Sequence, residues 1–215
     1  MTPSVAPLGD SAVTVTFGEA IDPSLSRRVW ATAERIRAAM LPSVREVVAA
    51  YAALAVYYDP LHTDFESLSA QLNELSVADG GTGPALEPRE FRIPVRYDGP
   101  DLEEVAVSLG LASTEVIERH SAPWYQVYLI GFVPGFAYLG ELDPKLVLPR
   151  RSEPRARVPA GAVAIGGAQT SIYPLETPGG WHLIGTTDTV LFDAHRSPPA
   201  LLRLGDRVRF EPILP

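Results

Sequence analysis

GFVPGFAYLG, residues 131–140, decides the fold together with three stretches that follow it: PAGAVAIGG (159–167), QTSIYP (169–174) and PGGWHLIGTT (178–187), of which the first and third are rich in glycine. In residues 131–140, three glycines and one proline disfavour a regular helix. Short strands between turns of this kind are typical of a closed β-barrel. We therefore predict an α+β protein whose C-terminal part, residues 89–215, is a β-barrel.

The C-terminal part also carries further strands and two short helices. Strands are predicted where Val, Ile, Tyr or Phe alternate or cluster between turns. The expected strands are residues 91–97, 123–130, 162–165, 170–173, 181–184, 189–192 and 207–211. Asp101 is expected to cap a helix that Gly110 closes, and Ser113 to cap a second helix.

The N-terminal part, residues 1–80, predicts a small α/β sandwich. Residues 11–17 alternate apolar and small polar side chains, as a half-buried strand does. Residues 44–58 are rich in Val and Tyr, which favours two strands arranged as a hairpin. Residues 78–88, ADGGTGPALEP, predict a linker between two domains.

Two helices are predicted in the N-terminal part. Asp22 is placed to cap a helix over residues 24–40, whose apolar positions at helical spacing extend to Met40. Thr63 or Asp64 can cap the second helix. The order of elements in this part is therefore expected to be β-α-β-β-α.

The composition argues against several classes of protein. The net charge is −8 and the pI is near 5.0, and because an acidic surface repels phosphate backbones, no nucleic-acid partner is expected. The absence of cysteine excludes disulfides and thiolate chemistry, and the histidines lack metal-ligand spacing, so no metal site is predicted. The first residues do not resemble a signal peptide, and the longest apolar run, 47–58, is shorter than the ~20 residues that span a bilayer. We expect a cytoplasmic protein with no membrane partner.

The loop at residues 131–140 has two interpretations. Its glycines allow the backbone to approach a ligand, so the segment around Phe132 and Gly135 is a candidate for binding an anion or the carbonyl group of a small substrate. The alternative is a tight turn in which Phe132, Phe136 and Tyr138 plug one end of the barrel.

Four arginines stand close together at positions 150, 151, 155 and 157. Guanidinium groups suit phosphate or carboxylate, but charge runs are also common on solvated loops, and a contact with an acidic partner is a third interpretation. The nearby glycine spacing is neither a Walker loop nor a dinucleotide fingerprint.

Polar and aromatic residues of the later strands complete the candidates. Gln169, Thr170 and Tyr173 can form hydrogen bonds with an amide or a carboxylate, or can satisfy strand ends. Trp181 can pack over a ligand or into the core. Histidine as a residue type suits acid–base work, but a lone strand histidine is commonly structural, so His182 is ranked below the others.

Taken together, these motifs resemble the allophanate hydrolase subunit 1 family, which includes the B subunit of bacterial 5-oxoprolinase and the Kip-type sporulation kinase inhibitor. The segments that carry the resemblance are 131–140, PR at 149–150, R-x-R-V-P-A-G-A-V-A-I-G-G at 155–167, 169–174 and 178–187. The resemblance implies a small N-terminal α/β domain followed by a C-terminal cyclophilin-like barrel, similar to the carboxyltransferase domain of urea carboxylase.

The resemblance also implies a function: one component of an ATP-dependent 5-oxoprolinase complex, which converts 5-oxo-L-proline to L-glutamate. The implied partners are a homologous larger protein, called the C subunit or allophanate hydrolase subunit 2, a third component called the A subunit, and a small amide substrate. ATP, with Mg²⁺, would be bound by the complex or by this chain. In this interpretation the catalytic candidates are Arg157, Gln169 and Tyr173. The substrate-binding candidates are Arg155, Thr170, Trp181, Phe132 and Gly135.

Two alternatives stay open. One is a carboxyltransferase or allophanate hydrolase-type subunit in urea-amide metabolism. The other is a Kip-type histidine kinase inhibitor without catalysis.

Overall fold

The computed structural model describes residues 3–20, 22–77 and 88–213. Their Cα positions divide the chain into two compact units, Met1–Glu87 and Pro88–Pro215. The predicted linker, apart from Pro88, lies outside the described residues. The assignment of residues 1–80 and 89–215 as domains stays a prediction. No helix in the described parts of the chain combines the length and apolar character needed to cross a membrane.

The first unit, in its described residues, is a four-stranded antiparallel sheet in the order β1-β2-β4-β3, with two helices. Its elements are β1 (Ser4–Pro7), β2 (Ala12–Thr16), α1 (Pro23–Ala38), β3 (Val44–Ala50), β4 (Ala53–Tyr58) and α2 (Phe65–Val77). The hairpin and both predicted helices are confirmed. Strand β1 was not predicted, because it is short and its residues are mostly exposed.

The helix starts of this unit follow the expected capping rule. Asp22 Oδ1 accepts hydrogen bonds from the backbone N–H groups of Ser24 and Leu25 at 2.8 and 3.0 Å, and Asp64 Oδ1 accepts one from the Ser67 N–H at 2.8 Å. The predicted extension of α1 to Met40 is wrong. Met40 has a φ of +46° and is 83% exposed, so it lies beyond the helix and outside the apolar stripe.

The second unit contains most of the strands and two helices. Its elements are β5 (Glu90–Val95), α3 (Leu102–Leu109), α4 (Ser113–Ser121), β6 (Tyr125–Ile130), β7 (Ala137–Gly140), a 3-10 turn (Pro144–Leu146), β8 (Arg155–Val158), β9 (Ala162–Gly166), β10 (Gln169–Ile172), β11 (Thr177–Gly179), β12 (His182–Thr186) and β13 (Arg207–Pro212).

A seven-stranded sheet in the order β12-β9-β10-β7-β6-β13-β5 forms the body of the second unit within residues 88–213. Just beyond β5, the Arg96 N–H donates to the Thr186 carbonyl at 2.9 Å and the Thr186 N–H donates to the Arg96 carbonyl at 2.7 Å. This pair joins the two outer strands of the sheet, so the predicted barrel is confirmed. Strands β8 and β11 form a separate two-stranded ribbon.

The sheet buries both of its faces, which positions the candidate site. Along β9, Val163 and Ile165 belong to the main core, together with side chains from α3 and α4. Ala162 and Ala164 belong instead to a second cluster, which includes Phe136, Tyr173 and Trp181. Because side chains alternate along a strand, the two clusters lie on opposite faces of the sheet.

Some sequence predictions for this unit are wrong. Residues 189–192 form no strand but contribute one isolated bridge, between Phe192 and Ala200. Strands β7, β8 and β11, each of three or four residues, were not predicted. Asp101 and Ser113 do not cap α3 and α4 with their side chains, whereas Gly110 closes α3 in the left-handed conformation, as expected.

Candidate functional site

Five aromatic side chains from the segments 131–140, 169–174 and 178–187 pack together on the second face of the sheet. We define the aromatic cluster as Phe132, Phe136, Tyr138, Tyr173 and Trp181. The buried Phe136 ring is at its centre, with centroid distances of 4.9 to 5.8 Å to the other four rings, all edge-on. Edge-to-face pairs at these distances are favourable, so the rings form a specific arrangement rather than a loose apolar patch.

Two glycines make this arrangement possible. A Cβ atom at Gly166 would stand 2.9 Å from the Trp181 ring, and one at Gly179 would overlap the Tyr173 hydroxyl. These two rings therefore lie directly on the backbone of β9 and β11, where a side chain would displace them. The glycines that marked these motifs in the sequence have a packing role.

Two backbone N–H groups of the loop at residues 131–136 form hydrogen bonds with carbonyl groups of the same loop. The Gly131 N–H donates to the Phe136 carbonyl and the Phe136 N–H to the Val133 carbonyl, each at 3.1 Å. Gly135 has a φ of +79°, and a Cβ atom there would stand 2.7 Å from Phe192 Cβ. These contacts favour the tight-turn interpretation. Phe132 nevertheless remains 62% exposed and offers an apolar surface to a ligand or a partner.

Three of the four clustered arginines are held by carboxylates. The Arg155 fork binds Asp101 at 2.9 and 2.6 Å. Arg151 Nη1 is 3.3 Å from both Asp101 and Glu104. Arg157 binds Glu176 at 2.9 and 2.6 Å, with 78% of its side chain exposed.

Asp101 is the centre of this ion network rather than a helix cap. Its carboxylate is buried and also accepts the Leu183 backbone N–H at 2.7 Å. Burial alone would raise the pKa of Asp101, but the hydrogen bonds from Arg155 and Leu183, with the charge of Arg151, outweigh it and lower the pKa. Asp101 thus stays ionised and joins the start of α3 to β8 and β12.

Arg150 is in a different situation. Among residues 3–20, 22–77 and 88–213, no carboxylate lies within ion-pair distance of its guanidinium, which instead stands over the Trp181 ring, 5.6 Å from the centroid. Burial raises the pKa of Tyr138 and of Tyr173, and the nearby Arg150 charge opposes that rise in both. Arg150 therefore lies over Trp181 at the exposed edge of the aromatic cluster, and its charge acts on both phenols.

The backbone on each side of Arg150 is fixed. His182 Nε2 is 3.0 Å from the Pro149 carbonyl, and since a carbonyl only accepts, the ring nitrogen is the donor. On the other side, the Arg151 N–H donates to the Gly180 carbonyl at 2.8 Å. The lower ranking of His182 as an acid–base residue fits this bond, which attaches the Arg150 segment to the strand that follows Trp181.

Thr170 lies in the core, away from the aromatic cluster. Its hydroxyl donates to the Ala164 carbonyl at 3.0 Å and accepts from His120 Nε2–H at 2.8 Å. The Tyr97 hydroxyl donates to the other ring nitrogen of His120, also at 2.8 Å. Burial lowers the pKa of His120 to about 3, so the ring is neutral. This network was not recognised in the sequence, where His120 appears only as a polar residue of a short helix.

The remaining candidate, Gln169, begins β10 half-buried and pairs with Gly166, the glycine under Trp181. Of the eight residues predicted for the site, Phe132, Tyr173 and Trp181 belong to the aromatic cluster, and Gln169 and Gly135 adjoin it through the backbone. Arg155 and Arg157 are held in ion pairs. Arg150 was not among these eight residues, and the structure adds it to the candidate site.

The described residues do not fit a bound ATP–Mg²⁺ in the usual manner. The Gly161 N–H donates to the Tyr173 carbonyl and the Gly167 N–H to the Leu148 carbonyl, so this glycine-rich segment does not present a row of free amides to phosphates. Within the same residues, no group of three or more His, Asp or Glu side chains could hold a metal ion. The aromatic cluster with Arg150 has the chemistry to bind and orient a small anion, and burial raises the pKa of both of its phenols.

Comparison with known proteins identifies the family. Residues 3–202 match the family described as carboxyltransferase domain, subdomain C and D. The 5-oxoprolinase B subunit of Bacillus subtilis (strain 168) is 41% identical over 216 residues, which cover 94% of this chain and 90% of the relative.

Solved structures agree with this match. The crystal structure of TTHA0988 has a TM-score of 0.84 and 44% identity, and the match covers 95% of this chain and 40% of TTHA0988, so this chain spans less than half of it. The Kluyveromyces lactis urea carboxylase, at 18% identity, shows the same fold with a TM-score of 0.80 over 99% of this chain and 22% of the carboxylase. The chain therefore belongs to the carboxyltransferase domain family, subdomain C and D, and within it to the family of 5-oxoprolinase B subunits.

Proposed function

We propose that this chain is the B subunit of an ATP-dependent 5-oxoprolinase complex that opens 5-oxo-L-proline to L-glutamate. The observation that carries the proposal is the match to a 5-oxoprolinase B subunit at 41% identity over nearly the whole length of both chains. Phe132 is proposed to contact the substrate, with Gln169 at the edge of the site, whereas Tyr173 and Trp181, which are 2% and 4% exposed, are proposed to support the site from within the aromatic cluster.

The chain contributes half of a composite site, completed by a homologous larger subunit. At its exposed edge, the aromatic cluster offers the Phe132 ring, the half-buried Tyr138 phenol and the positive charge of Arg150. Because burial raises the pKa of both Tyr138 and Tyr173, neither phenol acts as a base near neutral pH. We assign the general base and the phosphoryl-transfer site to the rest of the complex.

ATP and Mg²⁺ are accordingly assigned to the complex rather than to this chain. The chemistry that ATP supplies in such a complex is activation of the unreactive lactam by phosphorylation. This chain's own residues hold and orient the lactam, and the exposed Phe132 loop is available to a partner surface.

The test is reconstitution from separately purified proteins. This chain is mixed with the homologous C subunit and with the A subunit, and 5-oxoproline-dependent ATP hydrolysis and glutamate formation are followed. We expect activity only when all three are present, and its loss when this chain is omitted. Folded proteins that show no 5-oxoproline-dependent hydrolysis in any combination would contradict the proposal. Specific capture of a histidine kinase, without the C subunit, would instead favour the kinase-inhibitor alternative.

A further inference from the structure

We propose that Arg150, held above the Trp181 ring, is a binding residue for the carboxylate of a small cyclic substrate. The identity of that substrate as 5-oxoproline rests on the proposed function, whereas the anion site rests on the geometry of this chain alone.

The first step is the charge balance around the site. Asp101, Glu104 and Glu176 form ion pairs with the neighbouring arginines. The neighbouring arginines therefore do not add uncompensated positive charge to the aromatic cluster. Arg150 has no such carboxylate among the described residues. Arg150 is the first of the four clustered arginines, and among the described residues it is the only one of the four that no carboxylate neutralises.

The second step is preorganisation. The bonds from His182 to the Pro149 carbonyl and from the Arg151 N–H to the Gly180 carbonyl fix the backbone on both sides of Arg150. The guanidinium also lies over Trp181, an arrangement that restricts the side chain. Less conformational entropy is lost when a ligand binds a side chain that is already confined.

The third step is the chemistry of the ligand. A guanidinium fork matches the two oxygens of a carboxylate. A single uncompensated cation balances a monoanion, which favours a carboxylate over a phosphate or a nucleotide. The exposed Phe132 ring and the half-buried Tyr138 ring provide an apolar surface for the rest of a small cyclic molecule. Both phenols of the cluster remain protonated, since their pKa values are raised.

The experiment uses the assembled complex with Arg150→Met, which removes the charge and the fork but keeps an extended side chain. The matched control is Arg92→Met: Arg92 also stands 5.6 Å from a tryptophan ring, that of Trp124, but it is paired with Glu211. Because both arginines are exposed, we expect both variants to keep the thermal midpoint of the parent complex.

Binding is measured by titration calorimetry with 5-oxoproline and with 2-pyrrolidinone, the same lactam without a carboxylate. R150M is expected to weaken 5-oxoproline binding by about 10- to 100-fold, the loss typical of a charged hydrogen-bonded pair, and to leave 2-pyrrolidinone binding unchanged. R92M is expected to change neither. Equal binding of 5-oxoproline by R150M and the parent, or an equal loss for both lactams, would overturn the proposal.

Two further arms separate the possible failures. If the parent complex does not hydrolyse ATP with 5-oxoproline, the proposed function fails. Benzoate and benzamide then replace the two lactams in the titrations. A preference for benzoate that R150M abolishes still supports the carboxylate site. Inorganic phosphate distinguishes the anion: if R150M loses phosphate affinity and keeps carboxylate affinity, the carboxylate assignment is wrong.

Discussion

Replacing Asp101 by asparagine tests the ion network that organises the arginine segment. The Asp101 side chain is 3% exposed and receives the Arg155 fork, Arg151 and the Leu183 N–H. Removing one partner of a buried ion pair costs about 3–5 kcal/mol. Because Arg155 keeps 27% of its side chain exposed and can be partly rehydrated, we expect D101N to lower the free energy of unfolding by about 2–4 kcal/mol.

The assay is equilibrium unfolding in urea at neutral pH, with a thermal scan beside it. For a chain of this size the expected loss corresponds to a decrease of roughly 5–15 °C in Tm. The control is D188N, because Asp188 also binds an arginine fork, that of Arg96, with both distances at 2.9 Å, but its side chain is 84% exposed. Solvent screens that pair, so D188N is expected to change stability far less.

The pH dependence of the same variant gives an independent check. The pKa of Asp101 is lower in the folded protein than its ordinary value of 3.8. Its ionised form therefore stabilises the fold above pH 3.8, and that contribution is lost as the pH falls through the folded-state pKa. In D101N the free energy of unfolding should depend less on pH in this acid range. A D101N protein as stable as the parent at pH 7, with the same acid dependence, would refute the assigned role of Asp101.

Three further predictions concern the core and the aromatic cluster. Thr170→Val leaves the buried His120 N–H without an acceptor and should lower the free energy of unfolding by about 1–3 kcal/mol in urea titrations, whereas Thr170→Ser, which keeps the hydroxyl, should cost less. Gly166→Ala places a Cβ atom 2.9 Å from the Trp181 ring. It should lower the free energy of unfolding by about 1–3 kcal/mol and shift the fluorescence of Trp181. In the control Gly131→Ala the new Cβ would meet its nearest atom at 3.9 Å, so neither change is expected. Because burial lowers the pKa of His120 from 6.5 to about 3, the unfolded chain binds a proton that the folded protein does not, and stability should fall as the pH decreases from 6.5 towards 3. In His120→Gln the free energy of unfolding, measured in urea, should depend less on pH across that range. An unchanged pH dependence would contradict the buried neutral ring.

Local patterns in the sequence were enough to predict the strands with clear alternation and the helix ends with local caps. Residues 162–165 and 170–173 were predicted as strands because the pattern that indicates a strand lies within these segments and directly beside them in the sequence. The parallel pairing of β5 with β13 was beyond such reasoning, because residues 90–95 and 207–212 are joined by contacts that no local pattern encodes.

The candidate site, like the fold, was predictable from the sequence only in part. Aromatic and glycine residues placed the site in the correct segments, since the Tyr173 and Trp181 rings each lie on a glycine of a neighbouring motif. The choice among the arginines was not predictable, because four guanidinium groups within eight residues look equivalent in the sequence. Their partners decide the difference, and Asp101, which binds Arg155 from 54 positions away, resembled an ordinary helix cap.

The proposal that this chain supplies half of a composite substrate site is tested most directly by calorimetric titration of 5-oxoproline. The titrations use this chain alone, the proposed larger subunit alone and the assembled pair. If each chain provides part of the contacts, the pair should bind 5-oxoproline at least about tenfold more tightly than either chain alone, a difference of about 1.4 kcal/mol. Binding by one chain alone with the affinity of the pair would contradict the composite site.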